Sequence, residues 1–189
     1  VYFRIDAIML EKLSPHGVVA NAWYGLAYTF VNAFTILPGA FLGAMFPAMA
    51  RAFEDKRVNF HALYTYAFRG MALIGTPFAV GLAMLSQQAA KALFPHYPDN
   101  TVGPALQFLS WSGGLIFLTT VLVTVLRAAD KRAPFTVLMG VTMFLNVVLN
   151  VSLIPHLSHV GAAVSMIISE AFLFIAGFIY ISRRIATLT

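Results

Sequence analysis

Two carboxylates, Asp6 and Glu170, stand inside long apolar runs of this chain. They are the residues whose type and position best suit chemistry. A charge at the centre of a membrane-spanning helix costs about 2.5–3.5 kcal/mol, so it is kept where it faces a cavity, a partner or water. Asp6 lies about seven residues, roughly 10 Å, from the end of its segment. Arg4, two positions away, points elsewhere on a helix. Asp6 therefore needs a donor from another helix, or water. It is either a cavity charge that handles a proton, a cation or a sugar hydroxyl, or one end of a structural hydrogen bond between helices. Glu170 lies about ten residues into the last apolar run, near its middle. It is either an ion-coupling or substrate-facing carboxylate, or a neutral group bonded to Asn146 or Asn150. Those two asparagines are four residues apart and share one helix face. Their amides are expensive to leave unpaired in hydrocarbon, so that face must meet other helices or water.

The remaining candidates divide in the same way. Arg4, Arg69 and Arg127 carry the guanidinium geometry that suits a diphosphate. Arg4 is the deepest of the three, whereas Arg69 and Arg127, near segment ends, also read as basic side chains snorkelling to the surface. Asn21, Tyr24, Tyr28, Asn32 and Thr35 recur at three- and four-residue steps and form one polar stripe. That stripe can stack and hydrogen-bond sugars, or pack between helices. His156 and His159 share a short loop without a third ligand, which is weak ground for zinc, so no metal and no cofactor is expected. The chain has no nucleophile elbow, no phosphate-cradling glycine loop and no carboxylate cluster, and an enzyme is not expected.

The elements that position these residues follow from composition. Sixty per cent of the residues are hydrophobic and 10% charged, and the mean hydropathy is +0.82. Soluble domains carry about 25% charged residues, so this is an integral membrane protein. The net charge of +5 sits in short clusters between apolar spans, which marks topology and not a nucleic-acid surface. With no cysteine there is neither a disulfide framework nor thiol chemistry.

The expected fold is all-α, a single polytopic membrane bundle of about six helices at 1–13, 18–47, 64–94, 105–127, 134–154 and 160–182. The first is shorter than the roughly 20 residues a span requires, so the chain reads as the C-terminal part of a longer protein. Pro38-Gly39 predicts a kink in the second helix, and Ser112-Gly113-Gly114 a weak point in the fourth. Pro155 opens a tight turn between the fifth and sixth, after which Gly161, Ser165 and Ser169 form a small-residue packing seam. With the loop after the second helix placed in the cytoplasm, Arg51, Lys56, Arg57, Arg69, Arg127, Lys131, Arg132, Arg183 and Arg184 all fall on that side. Only Lys12 and Lys91 fall outside. This positive-inside bias predicts a cytoplasmic C-terminus.

Several stretches then carry a resemblance: Asp6-Ala-Ile-Met-Leu10, Val19 to Tyr28, Met45-Phe-Pro-Ala-Met-Ala-Arg51, Asn146-Val-Val-Leu-Asn150 with Leu153-Ile-Pro155, and Gly161-Ala-Ala163. In this order, over nearly the whole chain, they resemble the second half of the bacterial O-antigen and exopolysaccharide flippases. Those belong to the multidrug/oligosaccharidyl-lipid/polysaccharide exporter superfamily. The resemblance implies one lobe of a two-lobed transporter in the bacterial inner membrane, completed by an N-terminal lobe. Such a transporter moves an undecaprenyl-diphosphate-linked oligosaccharide by alternating access. A proton- or sodium-coupled drug exporter of the same superfamily, and a membrane-embedded transferase acting on lipid-linked sugar, are the alternative readings. The partners it implies are the bilayer, the lipid-linked sugar and the other lobe.

Overall fold

Inside a bilayer a backbone must satisfy its own hydrogen bonds, and a chain this apolar does so by helix formation. The structure, a computed structural model, describes residues 2–54, 60–97 and 101–184, and every regular element among them is helical. In chain order these are α1 (Tyr2–Leu13), α2 (Gly17–Glu54), α3 (Phe60–Met84), α4 (Ser86–Leu93), α5 (Val102–Ala128) and α6 (Arg132–Arg184). Four of them, α2, α3, α5 and α6, are long and apolar enough to cross a membrane. The chain is a polytopic helical bundle.

Several boundaries differ from the sequence expectation. α2 runs past its expected end, through Pro47 to Glu54, while Pro38 lies inside α2 and Pro77 inside α3 as expected, since neighbouring helices can re-satisfy what a proline frees. The third expected span divides at Leu85 into α3 and the short α4. The fifth and sixth expected spans form the two arms of α6, whose 53 residues would stretch about 80 Å if straight. Ser158 breaks it, with a positive φ of 52°. A Cβ added to Gly161 would stand 2.6 Å from the carbonyl oxygen of Leu153, so the second arm folds back against the first. Gly17 does the same at the α1–α2 corner, where a Cβ would collide with the backbone of Glu11. The two corners meet through the Ser14 and Ser158 hydroxyls, 2.7 Å apart.

α5 is the spine of the bundle. Two thirds of its most apolar window (67%) is buried, against 17% for α2, and it packs on α2, α3, α4 and α6. Ser112-Gly113-Gly114 does not weaken it; all three are buried inside a continuous helix. Without a hydrophobic drive between helices in lipid, small residues let backbones approach. A Cβ on Gly114 would meet the Ala79 Cβ at 2.6 Å, and one on Gly75 the Phe117 Cβ at 2.9 Å. Buried hydroxyls on α5 bond back to their own helix, as Thr119 does to Leu115 at 2.9 Å and Thr124 to Thr120 at 2.8 Å. Ser165 and Ser169 behave likewise on α6. α5 ends where Asp130, at φ 50°, lets the Asp130 and Lys131 amides cap the Arg127 and Leu126 carbonyls.

The core has two clusters. One surrounds Leu10, Tyr24, Leu106, Ile154 and Met166 at the end holding the two glycine corners. The other surrounds Met49, Phe60, Leu126 and Ile181. Arg51, Arg127 and Arg183 therefore gather at one end of the bundle, opposite the corners. Gly161→Ala forces a methyl into backbone and is expected to destabilise the fold by about 1–3 kcal/mol. Gly140→Ala meets no atom within 4 Å and should leave stability unchanged or raise it by up to about 1 kcal/mol. Thermal unfolding of both variants in detergent checks this; equal midpoints would rule out the tight return at Ser158.

Candidate functional site

Asp6 is fully buried, and its donors come from two other helices. The Tyr24 hydroxyl of α2 donates to Oδ2 at 2.9 Å, and the Asn150 amide of α6 donates to Oδ1 at 2.6 Å. The same Asn150 Nδ2 also donates to Asn146 Oδ1, one turn earlier, at 3.2 Å. The four-residue spacing of the asparagines puts both amides on the face that α1 covers. Tyr24 also approaches Met166 Sδ at 3.6 Å. A hydroxyl has one proton, and the shorter contact to a carboxyl oxygen is the stronger acceptor. Two donors aimed at Asp6 stabilise its ionised form, and burial opposes that form. Asn146 Nδ2 and Asn150 Oδ1 are buried without a hydrogen-bond partner, although the Asn146 amide lies beside the same carboxyl.

Glu170 lies deeper along the second arm of α6 and is 6% exposed. Its Oε2 is buried with no hydrogen-bond partner, and Thr119 of α5 faces the carboxyl. The Asn150 amide serves Asp6 and Asn146 instead. Tyr28, one turn beyond Tyr24 and stacked on it at 6.1 Å, lies within electrostatic reach of both carboxylates. The expected stripe on α2 therefore divides. Tyr24 and Tyr28 turn toward the carboxylates, Asn21 is half-buried, and Asn32 is exposed with its Oδ1 accepting from Thr35 at 3.3 Å.

Of the three candidate arginines, the two whose side chains are described, Arg69 and Arg127, lie away from this junction. Arg69 is exposed on α3 and lines a groove against α2. Arg127 is exposed and stacks over the Phe135 ring at 5.3 Å. The side chain of Arg4, with Lys56, Arg57 and Asp99 and the side chains of Arg132 and Arg184, lies outside the described residues. His159 bonds the Thr101 carbonyl through Nε2 at 2.9 Å and packs edge-on against Trp23. No three metal-ligating side chains gather among the described residues. Sequence reasoning missed Thr119 and Met166, because neither residue type signals a polar contact across helices.

The hydrogen bond from Tyr24 to Asp6 should register in a double-mutant cycle. Tyr24→Phe is expected to cost about 1.5–3 kcal/mol of stability, and much less in an Asp6→Asn background, a coupling of roughly 0.5–3 kcal/mol. Denaturation of the four proteins in one detergent measures it; strictly additive losses would mean the two groups do not interact.

One buried carboxylate is thus shared by three helices in a bundle built largely of apolar spans. A comparison with protein families matches residues 17–189 to one described as lipid II flippase MurJ. No curated protein matches the chain. With the match running from the start of α2 to the last residue, the chain belongs to the lipid II flippase MurJ family, whose members flip a lipid-linked precursor across the membrane without acting as enzymes.

Proposed function

We propose that this chain is one lobe of a two-lobed, alternating-access flippase whose cycle is coupled to a proton or cation at Asp6. The observation that carries the reading is the junction itself. One buried carboxylate holds α1 to α2 through Tyr24 and to α6 through Asn150, with the Asn146 amide beside it and the buried Asn150 amide oxygen left without a protein partner. Adding a proton to Asp6 removes an acceptor, and adding a cation recruits the free Asn150 oxygen. Either event changes how three helices are tied, which is the two-state element that coupling requires. Glu170, buried and incompletely paired, is the second carboxylate of this pathway, with Tyr28 between the two. Asn21 and Asn32 then stand along α2 as polar contacts for the sugar portion.

The substrate is an undecaprenyl-diphosphate-linked precursor. The family description favours lipid II, the peptidoglycan precursor, over the O-antigen unit suggested by the sequence resemblance, and favours both over cationic drugs. The setting is the bacterial inner membrane, with the end of the bundle that carries Arg51, Arg127 and Arg183 in the cytoplasm, by the positive-inside rule.

Flipping of fluorescent lipid II by the full-length protein in proteoliposomes tests the coupling. Asp6→Asn keeps the size of the side chain but removes its charge and replaces one of its two acceptor oxygens with a donor nitrogen. It should slow flipping about tenfold, within the 5–150-fold that coupling energies span, and flatten its pH dependence. Glu170→Gln should flatten the pH profile with a smaller loss of rate. A rate and pH profile like the parent's in both variants would remove the coupling role. Orientation has a separate test, because these residues include no cysteine. His16→Cys should react with an impermeant maleimide in spheroplasts, and Arg51→Cys only after permeabilisation. The opposite pattern inverts the topology.

A further inference from the structure

Arg69 takes no part in the Asp6 junction, and its surroundings form a site of another kind. Between α2 and α3 lies a groove of about 700 Å³. His61, Thr65 and Arg69 follow one another at four-residue steps and so line one face of α3. Tyr66 and Gly70 occupy the adjacent row, and Leu73 and Ile74 continue the face one turn further along. Phe41 of α2 supplies the opposite wall, and Met71 of the second core cluster is part of the lining. Gly70 is the open point of this surface, since a Cβ placed there would meet no atom within 4 Å.

The lining changes character along its length. Its polar donors come first, level with Tyr64 and Tyr66, residues of the kind that sit at membrane–water interfaces. Beyond Arg69 the lining is apolar, and Leu73 and Ile74 are exposed, at 77% and 49%. A guanidinium is always charged and grips phosphate oxygens two at a time, while its stem can reach from the apolar zone to headgroup level. One anionic group at the Arg69 end and one hydrocarbon chain at the Leu73 end complement this surface. The groove also lies at the basic end of the bundle and on the second core cluster, whereas the Asp6 junction is built on the first. That separation points to a lipid of the surrounding bilayer and not to the transported one.

We propose that the α2–α3 groove binds a single anionic phospholipid, its phosphate held by Arg69 with His61 and Thr65 and one acyl chain lying over Gly70 along Leu73 and Ile74. The experiment is native mass spectrometry of the full-length protein released from nanodiscs of phosphatidylcholine in which phosphatidylglycerol is titrated. The parent protein should retain one phosphatidylglycerol in preference to phosphatidylcholine. Arg69→Gln should lower that preference about fivefold, the value of one basic residue near an anionic headgroup. Gly70→Leu sends a branched side chain into the groove from a point where a Cβ meets no atom within 4 Å; it should abolish retention of the bound lipid, with the unfolding midpoint in detergent unchanged. Equal retention of the two lipids by the parent, or parent-like retention by Gly70→Leu, overturns the proposal. So does displacement of the retained lipid by undecaprenyl diphosphate at matched concentration, which would give the groove to the transported substrate.

Discussion

The structure depends on one buried negative group. Asp6 has no access to water, and a carboxyl so placed is tolerable only where donors converge on it. Tyr24 and Asn150 do so from helices separated by over a hundred residues of chain. The consequence is geometric. α1 cannot shift relative to α2 or the first arm of α6 without breaking a hydrogen bond to a charged group, each worth about 1.5–3 kcal/mol. Any ligand that alters the charge of Asp6 acts on all three helices at once.

The second constraint is how closely helices can approach. Lipid supplies no hydrophobic force between spans, so packing rests on contact area and small side chains. α5 meets this with Gly113, Gly114 and hydroxyl residues that bond their own carbonyls and so present little more than a methyl to a neighbour. The surrounding helices gather on it and leave much of their outer surface uncovered, as on α2 and α3. Those surfaces are available to lipid and, for a two-lobed transporter, to the other lobe. Under the alternating access proposed above, a buried spine with a polar junction at one side would let the lobe move as a unit while Asp6 changes charge.

Charge is distributed between the two ends for different reasons. The basic residues described at one end are exposed and belong with headgroups, where Arg127 can stack on Phe135 and Arg69 can border a groove. The opposite end closes by tight corners and neutral hydrogen bonds, Ser14 to Ser158 and His159 to Thr101. Between them lie the two carboxylates, joined by the Tyr24–Tyr28 stack. Asp6 has both oxygens engaged, while Glu170 has one without a partner. That difference comes from what each helix faces, since both carboxylates lie in apolar sequence.

By itself the sequence determined the class of the molecule. Apolar content, charge scarcity and the placement of basic clusters are one-dimensional properties, and in a bilayer they leave helices as the available form. The need of Asp6 for an outside donor was also legible, because Arg4 stands two residues away and cannot face it. So was the shared face of Asn146 and Asn150, because helical periodicity alone sets it. Which helices supply the donors was not legible. Tyr24 read as one member of a stripe, and only the α1–α2 corner turns it onto Asp6 while leaving Asn32 outside. Ser112-Gly113-Gly114 read as a flaw, because the propensity of small residues is local and their packing partners are not. Pro155 read as the turn, yet the chain stays helical to Ser158, where the close approach at Gly161 decides the reversal. Periodicity and composition are carried along the chain; the meeting of residues 6, 24 and 150 depends on contacts between distant segments, and those exist only once the helices have packed.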